Sequence, residues 1–378
     1  MPKIHNFNIN ELGISSDDLS GACDVSLCFL DVVDEVNIQN LLEGYKTKSD
    51  TLLNVINTQS REVCKKKSFC INSEVGRIFF KKRIILKKID SGMRGHILEE
   101  INGIVNTYCP DKIVFAPAIP EIGRITKNGV QYIGNKKIHE TVLSQDIGYP
   151  IKSSNIHDYV ENINGINICD AENEAELDKI VEKNLDFNKV LFVGSLGIAK
   201  ALSKKVRREK YLYAKKSVKS FQQKRSIVIS GSQHPRSINQ MKYASKKKNI
   251  RLFEIIDNSF NFHEIIKCEK EILLFQFKIQ DENKKKVREA LKRISKKIIS
   301  AIKPTGIGFI GGETAFDVLS NFGEGSIVIN KKITEILAGG LMKNDFLGEI
   351  FFSIKGGSVG EINSVEKMIN FLERGKYE

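Results

Sequence analysis

Two successive carboxylates, Asp17 and Asp18, head the stretch Asp17-Asp18-Leu19-Ser20-Gly21-Ala22, which leads into an apolar helical pattern through Val25 and Phe29. A carboxylate at a helix start can cap it, accepting free backbone N–H groups at the positive end of the helix dipole. The same group can accept a proton from a substrate hydroxyl or bond sugar hydroxyls, and Gly21 lets a ligand approach the backbone. A second cluster, Lys87-Lys88-Ile89-Asp90-Ser91-Gly92-Met93-Arg94-Gly95-His96, closes a strand pattern and precedes a helix beginning near Ile97. Strand ends are where open α/β sheets place their ligands. Asp90 and Ser91 can cap the next element, whereas Lys88 and Arg94, flanking the turn, would hold an anion. Arg94 suits a carboxylate because its planar fork matches both oxygens.

The third cluster, Phe115-Ala116-Pro117-Ala118-Ile119-Pro120-Glu121-Ile122-Gly123-Arg124, again leaves a strand end, and Pro117 and Pro120 stiffen it. Arg124 is a second anion candidate. His96, His139 and His157 lack metal-ligand spacing and read as surface or hydrogen-bonding histidines. Later signals are glycine-rich. Gly306-Ile307-Gly308-Phe309-Ile310-Gly311 matches G-x-G-x-x-G, but its apolar residues are the strand itself, so the dinucleotide fingerprint fails its context. What remains is a strand, Gly311-Gly312-Glu313-Thr314, then a helix whose first N–H groups could hold phosphate or ribose. Lys355-Gly356-Gly357-Ser358-Val359-Gly360 sets a lysine beside a flexible glycine turn, a second candidate phosphate cradle. No P-loop sequence occurs.

These motifs need elements to carry them. Short apolar runs over residues 83–89, 112–115, 190–194, 226–230, 272–277, 307–310, 326–329 and 349–354 predict strands. Helical periodicity over 198–206, 237–248, 284–302, 315–321 and 364–374 falls between several of them. Alternation of the two makes the class α/β. At 378 residues the length implies two domains. Residues 204–225 carry ten basic side chains and one acid and lead into the fresh strand at Ser226, so the expected division is 1–220 and 221–378. Residues 6–15, ahead of the aspartates, are more polar than a first buried strand ordinarily is.

The balance of 59 basic against 46 acidic residues, net +13, could signal a polyanionic partner or anionic substrates. With no tryptophan, zinc-finger spacing or aromatic-rich RNA-binding motif, the lysine runs read as solvated faces, and no nucleic-acid partner is expected. Within 284–303, Val287, Leu291, Ile294 and Ile298 form one apolar stripe of a surface helix otherwise lined with lysine and arginine. Apolar runs fall far short of the roughly 18 residues of a membrane span, and the first residues lack a secretory pattern. A cytoplasmic protein with no membrane partner is expected. Seven scattered cysteines without C-x-x-C point to reduced thiols rather than a disulfide framework or zinc site.

Taken in order, the motifs resemble the four-carbon acid sugar kinase family. The likeness rests on Asp17-Asp18-Leu19-Ser20-Gly21-Ala22, Lys87-Lys88-Ile89-Asp90-Ser91 with Arg94-Gly95, Pro117-Ala118-Ile119-Pro120 with Gly123-Arg124, and Gly194-Ser195-Leu196-Gly197-Ile198-Ala199. It continues through Ser230-Gly231-Ser232, Gly311-Gly312-Glu313-Thr314 and Lys355-Gly356-Gly357-Ser358-Val359-Gly360. The resemblance implies two α/β domains, an N-terminal one binding a small sugar acid and a C-terminal one binding ATP. It implies transfer of the γ-phosphate to a terminal hydroxyl of a substrate such as threonate, erythronate or their 3-oxo form. Asp17 or Asp18 would orient or deprotonate that hydroxyl, and Lys88, Asp90, Ser91, Arg94 and Arg124 would line the acid site. Ser232, Gly311, Gly312, Glu313, Thr314, Lys355, Gly356 and Gly360 would surround the nucleotide. Mg²⁺ is expected mainly through ATP, with no dedicated protein metal site, and a homo-oligomer is compatible. Two departures stand out: Ser20 where the family commonly has Thr, and Gly92-Met93 where it has Thr-Leu or the like. The second allows a changed acid preference, or a non-catalytic sensor of the same fold.

Overall fold

Strands covered on both faces by helices lose the alternation of a half-exposed sheet and read as unbroken apolar runs. The computed structural model describes residues 6–40, 52–146, 148–207, 225–256, 260–278, 284–323 and 325–374. The chain forms two compact units, Met1–Tyr211 and Leu212–Glu378. The boundary expected near residue 220 lies outside the described residues.

The first unit runs β1 (Leu12–Ser16), α1 (Leu19–Leu27), β2 (Val36–Asn40), β3 (Leu53–Asn57), α2 (Lys65–Ile78), β4 (Ile84–Lys88), α3 (Ile97–Tyr108), β5 (Lys112–Ala116). A small antiparallel sheet follows, β6 (Arg124–Lys127), β7 (Val130–Ile133) and β8 (Lys136–Lys137). Then come α4 (His157–Val160), β9 (Ile166–Ile168), α5 (Glu174–Asn184), β10 (Val190–Gly194) and α6 (Leu196–Ser203). The main strands lie in the order β2-β3-β1-β4-β10-β5-β9, all parallel. From β1 the chain moves outward to β2, and from β4 it moves the other way to β5. The carboxyl ends of β1 and β4 therefore flank a topological switch point, the crevice where open sheets bind ligands. Register keeps these ends level: Ser16 stands beside Asn57 and Lys88, and Gly194 beside Lys88 and Ala116.

The polar approach to the aspartates does contain a buried strand. All five residues of β1 are buried, Ser15 and Ser16 included, and Gly13 leaves room for the ring of Phe79. On the face that Phe79 covers, α2 crosses α3 closely, because a Cβ on Gly103 would sit 2.5 Å from Phe69 O and one on Gly76 would strike Thr107. Their core joins Val75, Ile101, Ile104 and Tyr108 to Ile85, Phe115 and Leu191 of the sheet.

The second unit runs β11 (Ser226–Ser230), α7 (Pro235–Ala244), β12 (Ile250–Ile256), α8 (Phe262–Lys267), β13 (Ile272–Lys278), α9 (Lys284–Ile302), β14 (Gly306–Ile310), α10 (Gly312–Leu319), β15 (Gly325–Thr334), β16 (Leu337–Asn344), β17 (Gly348–Lys355) and α11 (Ser364–Arg374). Its order is β12-β13-β11-β14-β17-β16-β15, parallel through β17 and antiparallel beyond. Again the carboxyl ends are level, Ser230 beside Ile310 and Ile310 beside Lys355. Leu291, Ile294 and Ile298 of α9 are buried while Lys296 and Lys297 face solvent, as its periodicity predicts. The fold is α/β, with a parallel-dominated sheet in each unit. Among the described residues no helix is long and apolar enough to cross a membrane, no three His, Cys, Asp or Glu gather as a metal site, and no disulfide forms.

Candidate functional site

In the first unit, the level strand ends bring Asp17, Asp18, Lys88, Asp90, Ser91, Arg94 and Arg124 around the β1–β4 crevice. Asp18 caps α1: its Oδ1 accepts Gly21 N–H at 2.8 Å and its Oδ2 the Ser20 hydroxyl at 2.8 Å. Asp17, one step earlier, caps nothing. Its Oδ2 accepts both Nε (3.0 Å) and Nη2 (2.6 Å) of Arg61, while its Oδ1, buried, has no hydrogen-bond partner. Arg61 also donates Nη1 to Asp18 Oδ2 at 3.4 Å. Burial pushes the Asp17 carboxyl above the ordinary aspartate value despite Arg61, with Asp18 adding to the rise. For Asp18 burial pulls the same way, but Arg61, Lys88 and its hydrogen bonds together outweigh it and hold the carboxyl low. Half-buried Asp24, on α1, is pushed up to about 7, chiefly by burial.

Arg61 lies beyond every motif read from the sequence. It sits in a 3₁₀ turn (Ser60–Glu62) after β3, entered through Gln59 in the left-handed conformation, φ +46°. The available signal was the polar run Asn57-Thr58-Gln59-Ser60-Arg61 closing an apolar strand. Two side chains hold this turn. His96 Nε2 donates to Val63 O at 2.7 Å, and Tyr149 donates its hydroxyl to Arg61 O.

Lys88 and Lys87 point to opposite faces of β4, as alternation requires. Lys88 Nζ donates to Ile89 O at 3.0 Å and lies beside Gly21, where a Cβ would approach it to 3.0 Å and Ser16 Oγ to 2.7 Å. Lys87 is sealed in the core against Glu100 of α3, 3.0 Å away. Asp90 binds Arg94 in a two-pronged pair (2.8 and 3.1 Å) and also accepts the N–H groups of Gly92 and Arg94, while Arg94 reaches Asp146 at 3.3 Å. Although burial opposes it, the surrounding Arg94, Arg61 and Arg124 hold the Asp90 carboxyl well below the usual range. Arg124 donates to the Ser91 hydroxyl. At the unusual dipeptide, Met93 is buried at φ +64°, and a Cβ on Gly92 would meet Leu143 at 2.8 Å and Asp90 Oδ2 at 2.9 Å. The loop is built around a missing side chain.

In the second unit, Ser232, Gly311, Gly312, Glu313, Thr314, Lys355 and Gly356 come together at the ends of β11, β14 and β17. Gly231 N–H reaches Thr314 Oγ1 at 3.3 Å, and Gly311 N–H reaches Lys355 O at 2.9 Å. Gly311 takes φ +104° to turn into α10, whose N-terminus opens here. Lys355 is 1% exposed, donates to Gly356 O at 2.7 Å, and is brought down to about 8 by burial first and Arg236 second. A Cβ on Gly357 would stand 2.8 Å from Ser232 Oγ. Gly360, φ +97°, turns the chain toward α11 against Ser364. Of the histidines, His96 fastens the Arg61 turn and His139 bonds Ser154 at 2.7 Å.

Residues 12–165 match a family described as the sugar-binding N-terminal domain. A D-threonate kinase of Bordetella bronchiseptica is 28% identical over 154 residues, 38% of each chain. A D-erythronate kinase of Heliobacterium modesticaldum is 29% identical over 108 residues, 28% of this chain and 25% of that one. The matched segments thus span under two fifths of these curated relatives. Among solved structures, a Salmonella typhimurium LT2 protein provisionally named a tRNA synthase superposes with TM-score 0.74 at 15% identity, over 94% of this chain and 98% of its own. A Haemophilus influenzae protein from a family of unknown function superposes with TM-score 0.64 at 17% identity, over 95% and 100%. These two show the fold alone. Residues 12–165 are thus similar to the sugar-binding N-terminal domain family, and segments of the chain are similar to kinases named for D-threonate and D-erythronate.

Proposed function

We propose that the chain is an ATP-dependent kinase that phosphorylates a terminal hydroxyl of a four-carbon sugar acid: threonate, erythronate or a 3-oxo form. One observation carries this reading: a buried carboxylate oxygen, Asp17 Oδ1, has no partner in a crevice otherwise ringed by Arg61, Lys88, Arg94 and Arg124. A free acceptor among cations is what a hydroxylated anion requires. The hydroxyl would bond Asp17, and the acid's carboxylate would take the remaining donors of Arg94, Arg124 or Lys88.

Attack of the hydroxyl oxygen on the γ-phosphorus forms one O–P bond as the bond to the ADP oxygen breaks, and the hydroxyl proton passes to the Asp17 carboxylate. Asp18 stays ionised and keeps the end of α1 in place. Lys355, with Ser232 and the glycine turns at 311–312 and 356–360, would hold the nucleotide phosphates. Glu313 and the Ser232 and Thr314 hydroxyls suit Mg²⁺ held mainly through those phosphates, where it would neutralise their charge. The Met93 strain favours one second reading, a sugar-acid sensor without turnover.

ADP release with Mg·ATP should be measured against D- and L-threonate, D- and L-erythronate and their 3-oxo analogues. Turnover is expected on one of them. Asp17→Asn is expected to lower kcat by about 10²–10⁴, the span of a lost general base, and Lys355→Ala to abolish measurable turnover. Full activity in both variants would sink the site assignment; silence across the panel with sugar acid still bound would favour the sensor.

A further inference from the structure

Four successive peptide groups in the turn after β17 have their carbonyl oxygens taken by side chains. Gly356 O accepts Lys355 Nζ (2.7 Å), Gly357 O accepts Ser237 Oγ, Ser358 O accepts Arg236 Nη1 (3.1 Å), and Val359 O accepts Gln240 Nε2 (3.3 Å). Gln240 also donates to Glu361 O at 2.7 Å. Three of these donors lie on one face of α7, spaced i, i+1 and i+4, and Ser237 and Gln240 are fully buried. In a trans peptide the carbonyl and the next N–H point in opposite directions. Turning the carbonyls of residues 357–359 onto α7 therefore turns the N–H groups of residues 358–360 away from it. Among the described residues none of the N–H groups of residues 356–360 donates to a protein acceptor. Successive free N–H groups form an anion nest.

Two cations stand beside that nest, Lys355 and Arg236, close enough to repel one another. Elsewhere in this unit cations meet carboxylates, as Arg288 and Lys292 meet Asp317. Here none intervenes among the described residues. A row of N–H groups with two adjacent uncompensated cations is complementary to a polyphosphate.

We infer that α7 is the positioning element of the nucleotide site: Arg236, Ser237 and Gln240 hold the 356–360 turn by its carbonyls so that its N–H groups receive the terminal phosphates. This rests on the nucleotide reading above and adds Ser237 and Gln240, which touch the turn and not the reacting atoms, and Arg236, which holds the turn and also sets its charge beside the nest. Contact with the terminal phosphates implies that adenosine and AMP are indifferent to α7.

Calorimetry with Mg·ATP, Mg·ADP and AMP on the full chain tests it, using Ser237→Ala, Gln240→Leu and the exposed Arg236→Ala, whose folding is under no threat. Each variant should weaken Mg·ATP about 5- to 20-fold, the loss of one such hydrogen bond, with AMP affinity and the KM for the sugar acid unchanged. Ser237→Thr, which keeps the hydroxyl, should restore Mg·ATP binding. Wild-type affinity for Mg·ATP in all three variants, or equal losses for AMP and ATP, would overturn the inference alone. A wild-type protein that binds no Mg·ATP would overturn the nucleotide reading and the inference with it.

Discussion

Asp17 and Asp18 adjoin in sequence yet play different parts, because one backbone step turns their carboxylates into different surroundings. Asp18 meets the open N-terminus of α1 and is held ionised, whereas Asp17 is shut in with Arg61 and titrates higher. The acid limb of turnover should therefore lie above the pH at which an ordinary aspartate protonates, since a protonated Asp17 cannot accept the hydroxyl proton. Lys355 makes the opposite prediction at high pH. With its ammonium brought down to about 8, the free protein carries the charge below that value and loses it above. Mg·ATP affinity, followed by calorimetry from pH 6.5 to 9.5, should be level at first and weaken through about 8. Lys355→Arg should flatten that profile, because a guanidinium stays charged throughout. An unchanged slope in the arginine variant would assign the titration elsewhere.

At the scale of elements, β4 serves two purposes through two adjacent lysines. Lys88 faces the crevice; Lys87 faces α3, where it meets Glu100, and Glu100 Oε1 in turn accepts the Ser60 hydroxyl at 2.8 Å. That pair joins β4, α3 and the turn carrying Arg61. Removing one member leaves a buried charge unmatched, so Lys87→Met should cost about 3–5 kcal/mol of unfolding free energy in urea titration. Lys87→Met combined with Glu100→Met should recover most of it. A double variant no more stable than the single would show that packing, rather than the unpaired charge, sets the cost. The same logic separates α9 from a nucleic-acid reader. Arg288 and Lys292 are engaged by Asp317 of α10, which leaves less of the helix's basic face uncompensated than its sequence implies.

Over the whole molecule, the net charge of +13 favours anions in general and attracts both proposed substrates. Raising NaCl from about 20 to 300 mM shortens the screening length severalfold, and the KM values for sugar acid and Mg·ATP should both rise while kcat holds. Duplex DNA should show no binding near 150 mM salt; tight, steeply salt-dependent binding there would mark the lysine faces as a polyanion surface instead.

Much of this protein was determined by sequence alone. The strands at residues 84–88, 190–194, 226–230 and 272–278 are legible because buried parallel strands must be apolar on both faces, and the polar or glycine-rich residues at their carboxyl ends mark the ligand edge. β1 is harder to read, since its serines are buried at the crevice where polarity serves the site. What the tertiary structure decided is which charges meet. Arg61 reaches Asp17 across 44 residues, Asp90 rather than a free anion fills the fork of Arg94, and α7 grips a turn about 120 residues away. Periodicity is a local property of the chain. Partnership between side chains depends on which strands become neighbours and in what register, and only the folded sheet sets that.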